Sequence, residues 1–157
     1  MRVGFGVDVH RFGSGDHLML GGIRIPAPHG VVAHSDGDVV LHALCDALLG
    51  AAALGDIGEH FPDSDPAWHQ SPSRLFVEHV LQRLEEHSWR VVHVDVSILL
   101  ESPKLASYKQ AMRENIASLC RIPPDAVSIK ATTSEGIGFV GRSEGIVAYC
   151  VCTIERQ

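Results

Sequence analysis

The stretch RVVHVDVSILL, from Arg90 to Leu100, alternates apolar and polar side chains. Such alternation is typical of a β-strand with one buried and one wetter face. The segment from roughly Ala106 to Cys120 then repeats its apolar residues at helical spacing and ends before Pro123-Pro124. Val127 to Ala131 predicts another strand. A strand, a helix and a strand in this order favour a βαβ unit.

The flanking sequence extends this sheet. Met1 to Val9 alternates as a half-buried strand, and Gly145 to Ile154 predicts the closing strand. Leu18 to Ile25 has the pattern of a β-hairpin that turns at Gly21-Gly22. We therefore expect an α/β (α+β) fold: a mixed sheet with βαβ units, helices packed on one face and an N-terminal hairpin.

Two further helices are predicted before residue 90. The first is capped by Ser35 or Asp36 and stops at Gly50. The second follows Ser71-Pro72 and carries its apolar residues on one stripe. No repeat or linker divides the chain, so we expect one domain of residues 1–157.

Composition excludes several function classes. The net charge of -6 argues against nucleic-acid binding, which favours a basic surface. No apolar run approaches the ~20 residues of a membrane helix, and the N-terminus lacks the pattern of an export signal. The cysteines have no zinc-ribbon or redox spacing and are typical of core thiols in a reducing compartment: Cys45, Cys120, Cys150 and Cys152. We expect a cytoplasmic protein with neither nucleic acid nor membrane as partner.

Three residues suggest a metal site. Asp8 and His10 are two apart on a predicted strand, so both side chains point to one face. His42, on the first predicted helix, can supply a third ligand. Three protein ligands and a free position are typical of catalytic zinc. The alternative for the Asp-x-His pair alone is a capped turn with surface histidines. Asp38 and Asp46, one turn either side of His42, can each orient its imidazole or be solvated helix charges.

A phosphate ester would need local positive charge. His34 and Ser35 precede the first helix, where free backbone N–H groups and the helix dipole favour a phosphate. Eight residues of helix would separate His34 from His42 by roughly 12 Å, so they should not share a metal. The hydroxyls after Ala131 can grip a diphosphate and Glu135 can bind magnesium, although ordinary turn chemistry explains the same residues.

Six motifs, with their order and separations, resemble the 2-C-methyl-D-erythritol 2,4-cyclodiphosphate synthases over nearly the whole chain. They are Gly6 to Phe12; His34 to Asp38 with His42 and Asp46 to Gly50; Gly55 to Gly58; His60 to Asp63; Pro103-Lys104; and Lys130 to Glu135. The resemblance implies a phosphorus-oxygen lyase of the non-mevalonate isoprenoid pathway. Such an enzyme cyclises 4-diphosphocytidyl-2-C-methyl-D-erythritol 2-phosphate and releases CMP, by metal-assisted phosphoryl transfer.

The resemblance also implies individual roles. His34 and Thr133 stabilise the transition state, Zn²⁺ is held once per active site by Asp8, His10 and His42, and Glu135 binds Mg²⁺ or Mn²⁺ with the diphosphate. The implied substrate-binding residues are Ser35, Asp56, Ile57, Gly58, Phe61, Asp63, Asp65, Ser73, Leu100, Lys104, Leu105, Ala106, Ala131, Thr132, Phe139 and Arg142.

The resemblance further implies a homotrimer with active sites between subunits, the metal ligands from one chain and the cytidine pocket from its neighbour. The chain departs from the family pattern at Ala67 to Ser71, within the segment expected to cover the substrate, and at Leu100-Glu101 with Ala106, in the base pocket. Two alternatives remain: a zinc-dependent phosphate-ester hydrolase with the same three ligands, and a non-catalytic trimeric binding protein whose metals are structural.

Overall fold

The computed structural model describes residues 1–157, which form strands, α-helices and two short 3-10 turns, Pro66–Trp68 and Pro124–Ala126. The strands are β1 (Arg2–Gly13), β2 (His17–Leu20), β3 (Ile23–Pro26), β4 (Gly30–Val31), β5 (Trp89–Leu99), β6 (Val127–Thr132) and β7 (Gly145–Arg156). The helices are α1 (Val39–Ala52), α2 (Ile57–His60), α3 (Ser73–Glu86), α4 (Lys109–Cys120) and α5 (Gly138–Gly141).

The main sheet is mixed, and its strand order is β4-β1-β7-β5-β6. Strand β7 pairs antiparallel with both β1 and β5, whereas β5 and β6 are parallel and are connected through α4. The predicted mixed sheet with a βαβ unit is therefore confirmed. The predicted hairpin is also present, as a separate two-stranded sheet of β2 and β3 that turns at Gly21 and Gly22.

Two helix starts differ from the sequence prediction. Helix α1 is capped by Asp38, and not by Ser35 or Asp36, because the Asp38 side chain accepts hydrogen bonds from the backbone N–H groups of Val40 and Leu41. Helix α1 also continues past Gly50, to Ala52. Helix α4 starts at Lys109, three residues later than predicted, because the chain up to Tyr108 forms turns.

Strand β1 alternates as predicted, but its apolar side chains face outward. Val3 is 66% exposed and Phe5 is 60% exposed. The opposite face carries Gly4 and Gly6, and helix α1 packs directly on their backbone. A Cβ atom on Gly4 would lie 2.8 Å from the backbone nitrogen of Ala51. The two glycines thus allow an approach that any larger residue prevents, and they bring α1 close to the end of β1 that carries Asp8 and His10.

The core lies between the sheet and helices α1, α3 and α4. It forms one cluster of 36 buried residues, which extends from Leu18 in β2 to Ile154 in β7. All four cysteines are buried within it as free thiols. Burial raises the pKa of the Cys120 thiol to about 12, so it stays protonated and unreactive near neutral pH. No helix combines the length and the apolar character needed to cross a membrane.

Candidate metal centre and substrate pocket

Asp8, His10 and His42 converge between β1 and α1. The Oδ2 atom of Asp8 lies 3.5 Å from Nε2 of His10 and 3.3 Å from Nδ1 of His42. Ligand atoms bound to zinc at ~2.0–2.2 Å in a tetrahedron lie about 3.3–3.6 Å apart. The spacing therefore suits one small divalent cation. These three side chains are also the one group of His, Cys, Asp and Glu residues whose potential ligand atoms all lie within 4.8 Å of one another.

The hydrogen bonding of the triad fits a cation. Oδ2 of Asp8 and Nε2 of His10 are buried and have no hydrogen-bond partner, although buried polar atoms almost always have one. Nδ1 of His10 lies 2.9 Å from the carbonyl oxygen of Val9 and donates to it, so the lone pair is on Nε2, facing the triad. Burial also lowers the pKa of His10, which keeps the imidazole in the neutral form that binds metals.

A pocket of about 340 Å³ opens beside the triad. Of the residues predicted to act here, the pocket wall contains His10, His34, Ser35, His42, Ile57, Gly58, Phe61, Asp63 and Asp65. Sequence reasoning missed further wall residues: Val32, Ala33, Pro62, Trp68, His69 and Phe76. The departure from the family pattern at Ala67 to Ser71 was the available signal for Trp68 and His69. Phe76 lies on the apolar stripe predicted for the second helix and belongs to the core as well as to the pocket wall.

Aromatic packing holds the segment from Phe61 to Gln70 over this pocket. The Trp68 ring lies 4.7 Å from the Phe61 ring and 5.6 Å from the Phe76 ring, measured between centroids. The Phe76 ring in turn lies 5.6 Å from the ring of His42. The backbone N–H of Gln70 donates to the carbonyl of His34 at 2.7 Å. The covering segment and the triad residue His42 are thus parts of one packed unit.

For the two carboxylates one turn from His42, the sequence left open a contact with the imidazole or a solvated position. The side chain of Asp38 is fully buried and accepts from four backbone N–H groups, at the start of α1 and at the hairpin turn. Asp46 accepts from the N–H of Ile57 at 2.8 Å. Neither orients the imidazole of His42, whose Nε2 instead lies 3.2 Å from Oγ of Ser35 and 2.9 Å from Oγ of Ser73.

The expected phosphate site at a free helix N-terminus is also wrong. Helix α1 begins at Val39, and the carboxylate of Asp38 already occupies its first N–H groups. His34 and Ser35 nevertheless lie on the pocket wall, where His34 is exposed. Any contact of these two residues with phosphate therefore comes from their own groups and not from the helix terminus.

The remaining predicted residues do not line the pocket beside the triad. A second, smaller pocket of about 150 Å³ is formed by Leu100, Pro103, Lys104, Leu105, Ala106, Lys109, Ala131, Thr132 and Thr133. Glu135 is exposed beyond it, and its N–H donates to Oγ1 of Thr133 at 3.2 Å. Neither pocket is lined by Asp56, which caps α2, by the fully buried Ser73, or by Phe139 and Arg142 at α5.

Comparison with known proteins assigns the chain to a protein family. A protein-family model, the YgbB family, matches residues 1–155. The chain belongs to the YgbB family. A YgbB relative from Xylella fastidiosa, a 2-C-methyl-D-erythritol 2,4-cyclodiphosphate synthase, is 57% identical over 156 residues, which cover 99% of this chain and 89% of the relative.

Solved structures agree with this assignment. The bifunctional IspDF from Campylobacter jejuni superposes with a TM-score of 0.95 at 39% identity, and the match covers 99% of this chain but 42% of that one. A 2C-methyl-D-erythritol-2,4-cyclodiphosphate synthase in its CDP-bound form gives a TM-score of 0.91 at 37% identity, over 98% of this chain and 100% of that one. The fold of this YgbB-family chain is therefore that of the synthases.

Proposed function

We propose that the chain catalyses the reaction for which its relatives are named. It cyclises 4-diphosphocytidyl-2-C-methyl-D-erythritol 2-phosphate to 2-C-methyl-D-erythritol 2,4-cyclodiphosphate and releases CMP, a phosphorus-oxygen lyase step of the non-mevalonate isoprenoid pathway. The 57% identity over 99% of the chain supports this function. In the structure, the observation that supports this function most directly is the Asp-His-His triad, in which two buried potential ligand atoms lack hydrogen-bond partners.

The chemistry of the reaction explains the equipment of the site. The 2-phosphate attacks the diphosphate phosphorus nearer the sugar alcohol, a new P–O bond closes the ring, and the bond to CMP breaks. Two anions must approach each other, so positioning and charge neutralisation dominate catalysis. Asp8, His10 and His42 would hold Zn²⁺ with one position free, and zinc there supplies Lewis-acid polarisation of a phosphoryl oxygen.

Six further residues have proposed roles in this scheme. His34 is exposed on the wall of the metal pocket and can donate to the reacting phosphate. Thr133, on the second pocket with Lys104, can donate its hydroxyl to the diphosphate. Glu135 can hold Mg²⁺ or Mn²⁺, which prefer oxygen ligands and would complete their shells with phosphate oxygens and water. The second pocket would take the cytidine, with Lys104, Leu105 and Ala106 among its lining residues.

We propose that the protein is a homotrimer with active sites between subunits. Val3, Phe5, Val7 and Val9 form an exposed apolar stripe on β1, continued on β7 by Val151. A stripe of this kind on an open sheet face indicates a protein interface. The two pockets of one chain have no lining residue in common. In the trimer, the nucleotide pocket of one subunit would complete the metal pocket of the next.

The proposal also covers domain organisation and localisation. One buried cluster that extends from β2 to β7 supports a single domain of residues 1–157. Four buried free thiols fit a reducing compartment, and we place the protein in the cytoplasm.

Phosphorus NMR tests the function directly. The full chain, incubated with the cytidine-linked substrate and divalent metal, should yield CMP and the cyclic diphosphate, and a chelator should stop the reaction. Asp8→Ala should abolish turnover, while Asp125→Ala, which removes an exposed carboxylate remote from both pockets, should retain it. CMP together with the open-chain 2,4-bisphosphate, formed when water and not the 2-phosphate displaces CMP, would show a hydrolase instead and overturn the proposal.

A further inference from the structure

The nitrogen of His42 that faces away from the triad contacts the buried Ser73, which is hydrogen-bonded to the half-buried Asp36. Nε2 of His42 lies 2.9 Å from Oγ of Ser73, and the Ser73 hydroxyl donates to Oδ1 of Asp36. The backbone N–H of Ser73 donates to Oδ2 of Asp36 at 3.0 Å. Ser73 is 0% exposed. A hydrogen-bonded chain therefore runs from a carboxylate to a metal ligand, between segments 37 residues apart in sequence.

The proton positions in this series of hydrogen bonds follow from counting donors and acceptors. An ionised carboxylate only accepts, so the single hydroxyl proton of Ser73 goes to Asp36. The oxygen of Ser73 then faces His42 as an acceptor, and Nε2 must carry the ring proton. The lone pair is left on Nδ1, the nitrogen 3.3 Å from Oδ2 of Asp8. The ring of His42 is thus held in the tautomer that a metal ligand at Nδ1 requires.

We infer that Asp36 is a positioning residue for the metal centre, acting through Ser73 on His42. The inference rests on the metal site proposed above. Residues that hydrogen-bond to the non-ligating nitrogen of a histidine ligand fix the rotation and tautomer of its imidazole and raise its basicity. Ser35 is the competing acceptor, but its Oγ lies farther away, at 3.2 Å, and already accepts from the N–H of Gly37 at 3.1 Å. Ser73 then supports a metal ligand, whereas the family resemblance implies a substrate contact.

Zinc affinity measures this role without turnover. Apo-protein of full length is titrated with Zn²⁺ in competition with a chromogenic chelator. Ser73→Ala should weaken binding about 10- to 100-fold, as the loss of such outer partners typically does, and Asp36→Asn about tenfold. Ser73→Thr keeps the hydroxyl and should restore most of the affinity. Ser71→Ala is the matched control, since its hydroxyl bonds only to the carbonyl of Ala67, and should bind as the wild type does.

A second readout separates positioning from general damage. Co²⁺ bound to Ser73→Ala should give a visible spectrum altered from the wild type, while the thermal midpoint of the apo-protein changes little. A folded Ser73→Ala variant that binds zinc within about twofold of the wild-type affinity would overturn the inference. A loss of zinc affinity in Ser35→Ala but not in Ser73→Ala would also overturn it. If Ser73→Ala does not fold, Asp36→Asn decides by the same criterion. Equal zinc binding by wild type and Asp8→Ala would instead overturn the metal site itself.

Discussion

Replacing Gly6 with alanine should damage the fold and the metal centre together. The new Cβ would meet the carbonyl oxygen of Ala43 first and would lie 2.7 Å from the backbone nitrogen of Ala47. Ordinary van der Waals contacts begin at 3.4 Å, so helix α1 must move by roughly 0.7 Å or more, because backbone atoms cannot rotate away as a side chain can. Overpacking of this kind typically costs about 1–3 kcal/mol of unfolding free energy.

The same shift should reach the ligands. Gly6 is two residues before Asp8, and Ala43 directly follows His42. Metal sites tolerate changes in ligand distance of only about 0.2 Å. We therefore expect zinc affinity to fall at least about tenfold, or ~1.4 kcal/mol. Urea unfolding of the apo-protein and competition titration with Zn²⁺ measure the two effects separately.

Gly50→Ala provides the matched control, because it adds the same methyl group to helix α1 itself. A Cβ at Gly50 meets no atom within 4 Å. Alanine favours helix over glycine by up to about 1 kcal/mol, so stability should hold or rise and zinc affinity should not change. If Gly6→Ala has the same urea-unfolding free energy and the same zinc affinity as the wild type, close packing of α1 on β1 does not determine the geometry of the triad.

Three further predictions concern charge, packing and assembly. Burial raises the pKa of Asp38 to about 6, so the folded state binds this proton more tightly than the unfolded chain. The protonated carboxyl therefore adds stability that is fully present below the pKa of the unfolded chain and is lost as pH rises through about 6. The free energy of unfolding of the wild type, relative to that of Asp38→Asn, should fall by on the order of 3 kcal/mol between pH 4 and 7. A difference in urea unfolding that does not depend on pH would contradict this prediction. Trp68→Ala removes the aromatic contacts of the covering segment and should raise the KM severalfold, by about 1 kcal/mol of binding, while Trp68→Phe stays near the wild type; steady-state kinetics with an unchanged KM for Trp68→Ala would argue against the packing role. Phe5→Asp places a charge in the exposed apolar stripe and should yield monomers in sedimentation velocity, whereas Gln82→Asp on the exposed face of α3 should not; an intact trimer with Asp at position 5 would rule this stripe out as the interface.

Local pattern predicted the elements but not the orientation of β1. The alternation of Val3 and Phe5 was visible in the sequence, yet the buried face belongs to Gly4 and Gly6. Burial of the glycine face depends on how closely α1 approaches, which is a tertiary property that no strand pattern contains. The usual assumption that apolar side chains point inward fails here because α1 packs on the glycine face and leaves the apolar face exposed.

The cap of α1 shows the same limit. Ser35, Asp36 and Asp38 are all residue types that cap helices. Asp38 is selected because its carboxylate also accepts from the N–H groups of Gly21 and Gly22 in the hairpin turn. That contact spans 17 and 16 residues and could not be inferred from neighbouring sequence.

The candidate site was predictable where spacing alone decides geometry. The interval between Asp8 and His10 places both on one strand face, and His42 was expected from the helix beside it. The link between Asp36 and Ser73 depends on a contact across 37 residues, so only the structure reveals it. The two aspartates one turn from His42 were the local alternatives, and both are engaged elsewhere.

Anomalous diffraction at the zinc edge, from crystals of the full chain grown with zinc and CDP, tests the central claim most directly. The account predicts one peak bound by Oδ2 of Asp8, Nε2 of His10 and Nδ1 of His42 at ~2.0–2.2 Å, with the fourth position taken by a phosphate oxygen or water. A fourth protein side chain on the ion, or a peak held by other residues with these three side chains pointing apart, would contradict it.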